Sequence, residues 1–215
     1  MDGNRRWARA QGLSNLEGHR AGYEKLQDVL GWCKEENIPH LTVYAFSTEN
    51  WYRAKEEVSY LMDLLRAAVR DQLANALKQG IRLRFPGSRA NVPEDIREMI
   101  ENAEEKTAHF SDRIFSIAFS YGGRAEIIDA IRRVAPERLP NITEEEFGRM
   151  LWSGGVPDPD MIIRTSGEHR LSGFLTWGSV YSELFFTDTY WPAFTKEEFV
   201  RMLERYGERE RRFGK

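Results

Sequence analysis

Cysteine is nearly missing from this chain, and so are long apolar runs and any excess of charge of one sign. Cys33 is the only cysteine in 215 residues, so no internal disulfide can form, and no Cys-x-x-Cys or His-x-x-x-His spacing is present to hold zinc. A reducing, cytoplasmic setting is expected. No apolar stretch reaches the roughly 18 to 20 residues that span a bilayer, and the N-terminus opens on the charged MDGNRR instead of a signal peptide. The expected protein is soluble, or at most peripheral to a membrane. With 31 Lys and Arg against 34 Asp and Glu, the net charge is -3, which argues against a nucleic-acid partner and requires any anion site to be local. Repeats and low-complexity linkers are missing too. The length is that of one domain, so residues 1–215 are expected to form a single compact unit.

What is present alternates. β-rich runs at 41–46, 81–85, 114–119 and 161–163 are interleaved with helical patterns at 18–36, 56–79, 93–109 and 124–134. Further helices are expected at 143–152 and 195–206. Such alternation predicts an α/β fold with a central, mostly parallel sheet flanked by helices. GSRANVP and APERLPN read as surface loops from their Gly, Pro, Asn and Ser content. Within 56–77, Val58, Leu61, Met62, Leu65, Val69, Leu73 and Ala76 form one helical stripe, widened by Leu64 and Ala68. The stripe is either ordinary packing on the sheet or the wall of an apolar tunnel.

Ligands of open parallel sheets gather beyond the carboxyl ends of the strands. Three polar clusters fall there: FSTENW after Phe46, SYGGR after Phe119 and RTSGEHRLS after Ile163. Their arginines, hydroxyls and glycine-freed backbone amides are groups that bind anions. The opening MDGNRRWARAQG adds Asp2 beside Gly3, Asn4, Arg5 and Arg6, with His19 and Arg20 at the start of the next helix, whose positive end favours a diphosphate. A carboxylate among cationic and amide donors suits a magnesium diphosphate, since Mg²⁺ takes one or two carboxylates plus phosphate oxygens and water. Taken singly, each residue has a plainer reading as solvated surface or as a turn.

Together, MDGNRRWA, GHRAG, AFSTENW, YGGRAEI and DPDMIIRTSGEHRLSGFLTWGSVYSELFF resemble the signature blocks of the cis-prenyltransferase family, in family order along the chain. The resemblance implies a transferase that condenses isopentenyl diphosphate with an allylic diphosphate, geranyl or farnesyl, to give Z-configured polyprenyl diphosphates. It implies Mg²⁺ on Asp2, with Glu183 acting near the metal, and an allylic diphosphate cradled by Gly3, Asn4, Arg5, Arg6, Trp7 and His19. Arg164, Arg170 and Ser172 match the clamp for isopentenyl diphosphate. Ser47 and Asn50 match residues that orient this partner and assist proton loss, with Trp51, Arg53 and Glu57 completing the block. It also implies a tunnel, with Ala45, Leu61, Leu64 and Leu65 as the positions to test. A homodimer is implied, partly through TWGSVYSELFF, with the tail residues Arg212, Phe213 and Gly214 reaching the partner's site. Peripheral membrane contact through the lipid product follows from the same resemblance.

The match departs in places. An apolar strand usually precedes MDGN in the family, and we expect it to have been omitted from this sequence. Asn15 replaces a frequent arginine, Ala54 a usual proline and Arg5 the commoner glycine, while Ser166 is a familiar variant. Two other readings compete. A non-catalytic accessory subunit would lack several of Asp2, Asn50, Arg164, Arg170 and Glu183, and a trans-type enzyme would need paired aspartate-rich helices that EDIRE does not supply.

Overall fold

β3 (Arg113–Tyr121) is buried along almost its whole length, as suits its mostly apolar sequence RIFSIAFSY in a strand covered on both faces, with Ser116 and Ser120 buried among the apolar residues. It is the centre of a parallel three-stranded sheet, between β1 (His40–Ser47) and β2 (Ile81–Arg84). The computed structural model describes residues 1–208. Its helices are α1 (Asn4–Ala10), α2 (Asn15–Glu35), α3 (Lys55–Gln79), α4 (Glu94–Thr107), α5 (Gly123–Arg133), α6 (Glu144–Met150) and α7 (Lys196–Gly207). A second parallel pair joins β4 (Met161–Arg164) to β5 (Glu183–Phe186). All six expected helices and all four expected strands form, with ends shifted by a few residues. Five short elements were not anticipated: α1, β5 and the 3-10 turns Thr48–Tyr52, Pro136–Asn141 and Trp191–Ala193.

The described chain divides into two compact units: one holds 1–32, 159–170 and 181–208, the other 33–158 and 171–180. In the second unit, α3 and α4 pack on each other and on β2. Thr107 pins that arrangement, accepting the Leu83 amide at 3.0 Å and donating to the Ala103 carbonyl at 2.7 Å. The α3 stripe is narrower than expected. Met62, Leu65, Ala68, Val69 and Ala76 are buried, whereas Val58, Leu61, Leu64 and Leu73 are half-buried and Gln72 enters the core at 3% exposure. Ala54, where a proline was expected, has φ −53°, an angle proline itself holds. Burial pushes the Cys33 thiol up to about 12, so it stays protonated and inert.

GSRANVP is not simply a surface loop. Gly87 and Val92 are buried, because the segment closes on the end of β3: the Phe119 amide donates to Pro86 O at 3.0 Å and Ser88 donates to Ser120 O at 3.0 Å. Those bonds satisfy backbone groups beyond the β2 ladder.

In the first unit an aromatic core joins Trp32, Trp191, Phe194 and Phe199, with ring centroids 6.0 to 6.5 Å apart. Trp191 Nε1 donates to Gly22 O at 2.8 Å, so the indole is satisfied where it is buried.

Candidate functional site

In the first unit, Asp2 is stitched to the end of β4 by its backbone. Its N–H donates to Thr165 Oγ1 at 3.0 Å, the Thr165 hydroxyl donates to its carbonyl at 2.8 Å, and Trp191 N–H donates to the same carbonyl at 2.9 Å. The carboxylate is thereby fixed. Oδ1 accepts the Gly3 amide at 2.7 Å, Oδ2 accepts Arg164 at 2.9 Å, and Arg6 lies 3.6 Å away. Burial pushes the carboxyl upward, but the Arg164 bond, the Gly3 amide and the Arg164 charge outweigh it and hold Asp2 below its ordinary range.

Gly3 has φ +99°, and a Cβ there would stand 2.7 Å from the Tyr190 ring and 3.0 Å from Ser166 Oγ. Only glycine lets the chain turn into α1 so close to those groups. Arg6 then reaches Ser166 O at 3.2 Å and Glu168 at 3.0 Å, over the Tyr190 ring at 5.7 Å. Arg5 Nε and Ser166 Oγ are buried without a hydrogen-bond partner among the described residues, as is Asn4 Oδ1. Buried orphan donors beside a cationic arm are what an anion would satisfy. His19 is 9% exposed on the first turns of α2, between Gly18 and Gly22, both of which abut Asn4. Trp7 is half-buried on α1.

Arg164 also donates to the Arg170 carbonyl, and Arg170 pairs with Glu168, so the RTSGEHR turn is braced by its own charges. His169 stacks on Phe186 with centroids 4.9 Å apart. Glu183 belongs to the same unit as Asp2. It opens β5 opposite Met161, at the far end of the pair from Arg164, about 10 Å along the strand at roughly 3.3 Å per residue. Among the described residues no group of three His, Cys, Asp or Glu is placed to hold a metal. Asp2 alone still fits a magnesium diphosphate, because it is ionised, half-exposed and keeps a lone pair on each oxygen.

The second unit carries the rest. Ser47 ends β1, and its N–H donates to Asn50 Oδ1 at 3.1 Å, so Asn50 shapes the turn with its oxygen and retains its amide N–H groups. Trp51 Nε1 donates to Ser120 Oγ at 2.9 Å and packs edge-on to Phe46 at 4.8 Å, fixing the FSTENW turn to the end of β3. Arg53 pairs with Glu57 at 3.0 Å. Ser172 is exposed in a left-handed conformation, φ +51°, beside Gly173, whose carbonyl accepts the Gly123 amide at the start of α5 at 2.9 Å. One feature here escaped the sequence: Tyr121 donates to the fully buried Glu126, which also accepts Ser153 N–H at 3.2 Å and its hydroxyl at 2.9 Å. Burial and the Glu126 carboxylate push the Tyr121 phenol far up.

Tyr190 was unread from sequence, and so were the partners of Thr165, Ser166 and Glu168 in the RTSGEHRLS cluster, which lie about 160 residues away along the chain. Arg212, Phe213 and Gly214 lie outside the described residues.

Parallel strands whose ends carry arginine, hydroxyl and glycine turns define an α/β protein of the kind that binds anionic ligands at strand ends. The model of the family described as putative undecaprenyl diphosphate synthase matches residues 1–214, and the chain belongs to that family. An isoprenyl transferase of Fusobacterium nucleatum is 46% identical over all of this chain and 93% of its own length. The tritrans,polycis-undecaprenyl-diphosphate synthase (geranylgeranyl-diphosphate specific) of Thermoplasma volcanium is 45% identical, over all of this chain and 86% of its own. Lavandulyl diphosphate synthase from Lavandula x intermedia, solved with dimethylallyl diphosphate, superposes with a TM-score of 0.92 at 30% identity, covering 100% of this chain and 95% of its own. The protein is thus an α/β enzyme that transfers prenyl groups.

Proposed function

We propose that the 215 residues act as one catalytic domain that condenses isopentenyl diphosphate with an allylic diphosphate, geranyl or farnesyl, into Z-configured polyprenyl diphosphates, with Mg²⁺. The observation that carries this reading is the ionised Asp2 carboxylate set between Arg6 and Arg164, with the orphan donor Ser166 Oγ against the adjacent Gly3. Asp2 would hold the metal, which neutralises charge on the diphosphates.

Gly3, Asn4, Arg5, Arg6 and His19 bind the allylic diphosphate. Its C–O bond breaks with the electron pair leaving on oxygen, so donors already in place gain most as that charge grows. The double bond of isopentenyl diphosphate, clamped by Arg164, Arg170 and Ser172, supplies the pair for the new carbon–carbon bond. A proton then leaves to a diphosphate oxygen, with Ser47 and Asn50 orienting the partner, since neither is a strong base at neutral pH. Half-buried Leu61 and Leu64 beside Leu65, and exposed Ala45 at the irregularity in β1, supply apolar surface for a tunnel that shelters the growing tail.

Val180 and Tyr181, 71% and 95% exposed, with Leu184 offer the TWGSVYSELFF region an apolar homodimer surface. None of the described helices is long and apolar enough to cross a membrane. We propose a cytoplasmic enzyme that touches the membrane through its product.

The test incubates the protein with labelled isopentenyl diphosphate, geranyl or farnesyl diphosphate and Mg²⁺, and sizes the dephosphorylated products. Elongated Z-products are expected, and Asp2→Ala should slow turnover by about 10²-fold to 10³-fold or more. Unchanged turnover in that variant would remove Asp2 from the chemistry.

A further inference from the structure

Helix α7 opens with a capping box in which Thr195 Oγ1 accepts the Glu198 amide at 3.2 Å and Glu198 Oε2 accepts the Thr195 amide at 3.2 Å. Capping uses only one carboxylate oxygen. The other, Oε1, accepts the hydroxyls of Thr187 at 3.1 Å and Thr189 at 2.6 Å. The carbonyls of those same threonines are committed to the RTSGE turn: Thr189 O accepts the Ser166 amide at 2.9 Å and Thr187 O accepts the Gly167 amide at 2.8 Å.

Ser166 and Gly167 both have positive φ, +86° and +69°. A serine in that region is strained and persists only where its surroundings over-determine it. The Ser166 carbonyl then takes Arg6 at 3.2 Å, and Tyr190, next in chain to Thr189, lies under the Arg6 guanidinium. An unbroken set of hydrogen bonds therefore runs from Glu198 to the arm around Asp2.

We propose that Glu198 is a positioning residue for the diphosphate site. Its charge-assisted bonds to Thr187 and Thr189 hold the turn that sets Ser166 and Arg6. The proposal rests on the diphosphate reading of that cluster given above.

Two variants separate positioning from capping. Thr187→Val/Thr189→Val removes both hydroxyl tethers and leaves the capping box, whereas Thr195→Ala does the reverse. Each is assayed for affinity toward inorganic diphosphate with Mg²⁺ by calorimetry, for KM of the allylic diphosphate against kcat, and for melting temperature. The double valine should weaken diphosphate binding, raise the KM of the allylic diphosphate by about fivefold or more and lower kcat with it, since the leaving group loses donors already in place. Thr187→Ser/Thr189→Ser should restore all three, and Thr195→Ala should lower the melting temperature alone. Should the double valine fail to fold, Thr189→Val alone, which removes the 2.6 Å tether and leaves both Thr187 and the capping box, is expected to move KM in the same direction by a smaller factor. The idea is overturned if these tether variants bind diphosphate like the unaltered chain, or if Thr195→Ala weakens binding equally. A chain that shows this binding pattern but never joins isoprenoid units would sink the proposed reaction and leave the tether standing.

Discussion

Asp2 accepts hydrogen bonds from the Gly3 amide and from Arg164, and both are stronger when its carboxyl is ionised. Folding therefore lowers its acid range relative to the unfolded chain, where an aspartate titrates near about 3.9. Above that ordinary value the ionised group stabilises the fold. As pH falls through the lower folded value the group takes up a proton, and the contribution is lost. Solvent screens part of the effect, because the side chain is 38% exposed. Asp2→Asn should thus shrink the fall in melting temperature between about pH 7 and about pH 3, read by circular dichroism. Equal falls in the two proteins would assign the acid sensitivity to other carboxylates. Asp2 itself was legible, as a carboxylate beside Gly3, Arg5 and Arg6 in the first residues of the chain. The contacts of Thr165 with Asp2 and of Tyr190 with Gly3 were not, since neighbours in sequence say nothing of a partner about 160 or about 190 residues away.

The α1–α2 contact explains the spacing of GHRAG, where two glycines stand one helical turn apart. A Cβ on Gly18 would lie 2.3 Å from the Asn4 carbonyl oxygen, and one on Gly22 would lie 2.5 Å from Asn4 Oδ1. Alanine is the better helix former by about 1 kcal/mol, yet backbone cannot retreat from a contact of that length, so Gly18→Ala should destabilise the protein. Gly31, further along α2, has nothing within 4 Å of its Cβ position. There the propensity should prevail, and Gly31→Ala should stabilise by about 0.5 to 1 kcal/mol in urea unfolding. If both variants moved stability the same way, the close approach of α1 would be wrong. The long elements were readable because their apolar patterns are long: the α3 stripe announces a type and a face, and the mostly apolar β3 run a strand covered on both sides. The seven residues of α1 and the four of β5 were not, because NRRWARA has too little apolar period and ELFF too little length. Such elements form only where tertiary partners meet them. The closure of Gly87 onto β3 was hidden for the same reason, since its turn residues look alike whether solvated or hydrogen-bonded to a strand end.

At the scale of the molecule, neither compact unit is a continuous stretch of sequence. The chain passes between them after Trp32, Asp158, Arg170 and Val180, and α2 itself runs through the first of these points. The proposed site residues divide in the same way, with Asp2, Arg6 and Arg164 in one unit and Ser47, Asn50 and Ser172 in the other. If the protein works as one catalytic domain, neither unit can open fully without the other, because each would leave chain ends that only the other's folding supplies. Hydrogen exchange followed against urea tests this, since the amides of β3 and those of the β4–β5 pair then report a common opening free energy. Inorganic diphosphate with Mg²⁺ adds a second reading. A ligand that binds only the folded state stabilises it by mass action, about 2.7 kcal/mol at a hundred times its dissociation constant. In a single cooperative domain that increment should appear undiminished in β3, although Asp2, Arg6 and Arg164 belong to the other unit. Protection that rises in β4 and β5 while β3 stays where it was would instead mean that the two units unfold independently.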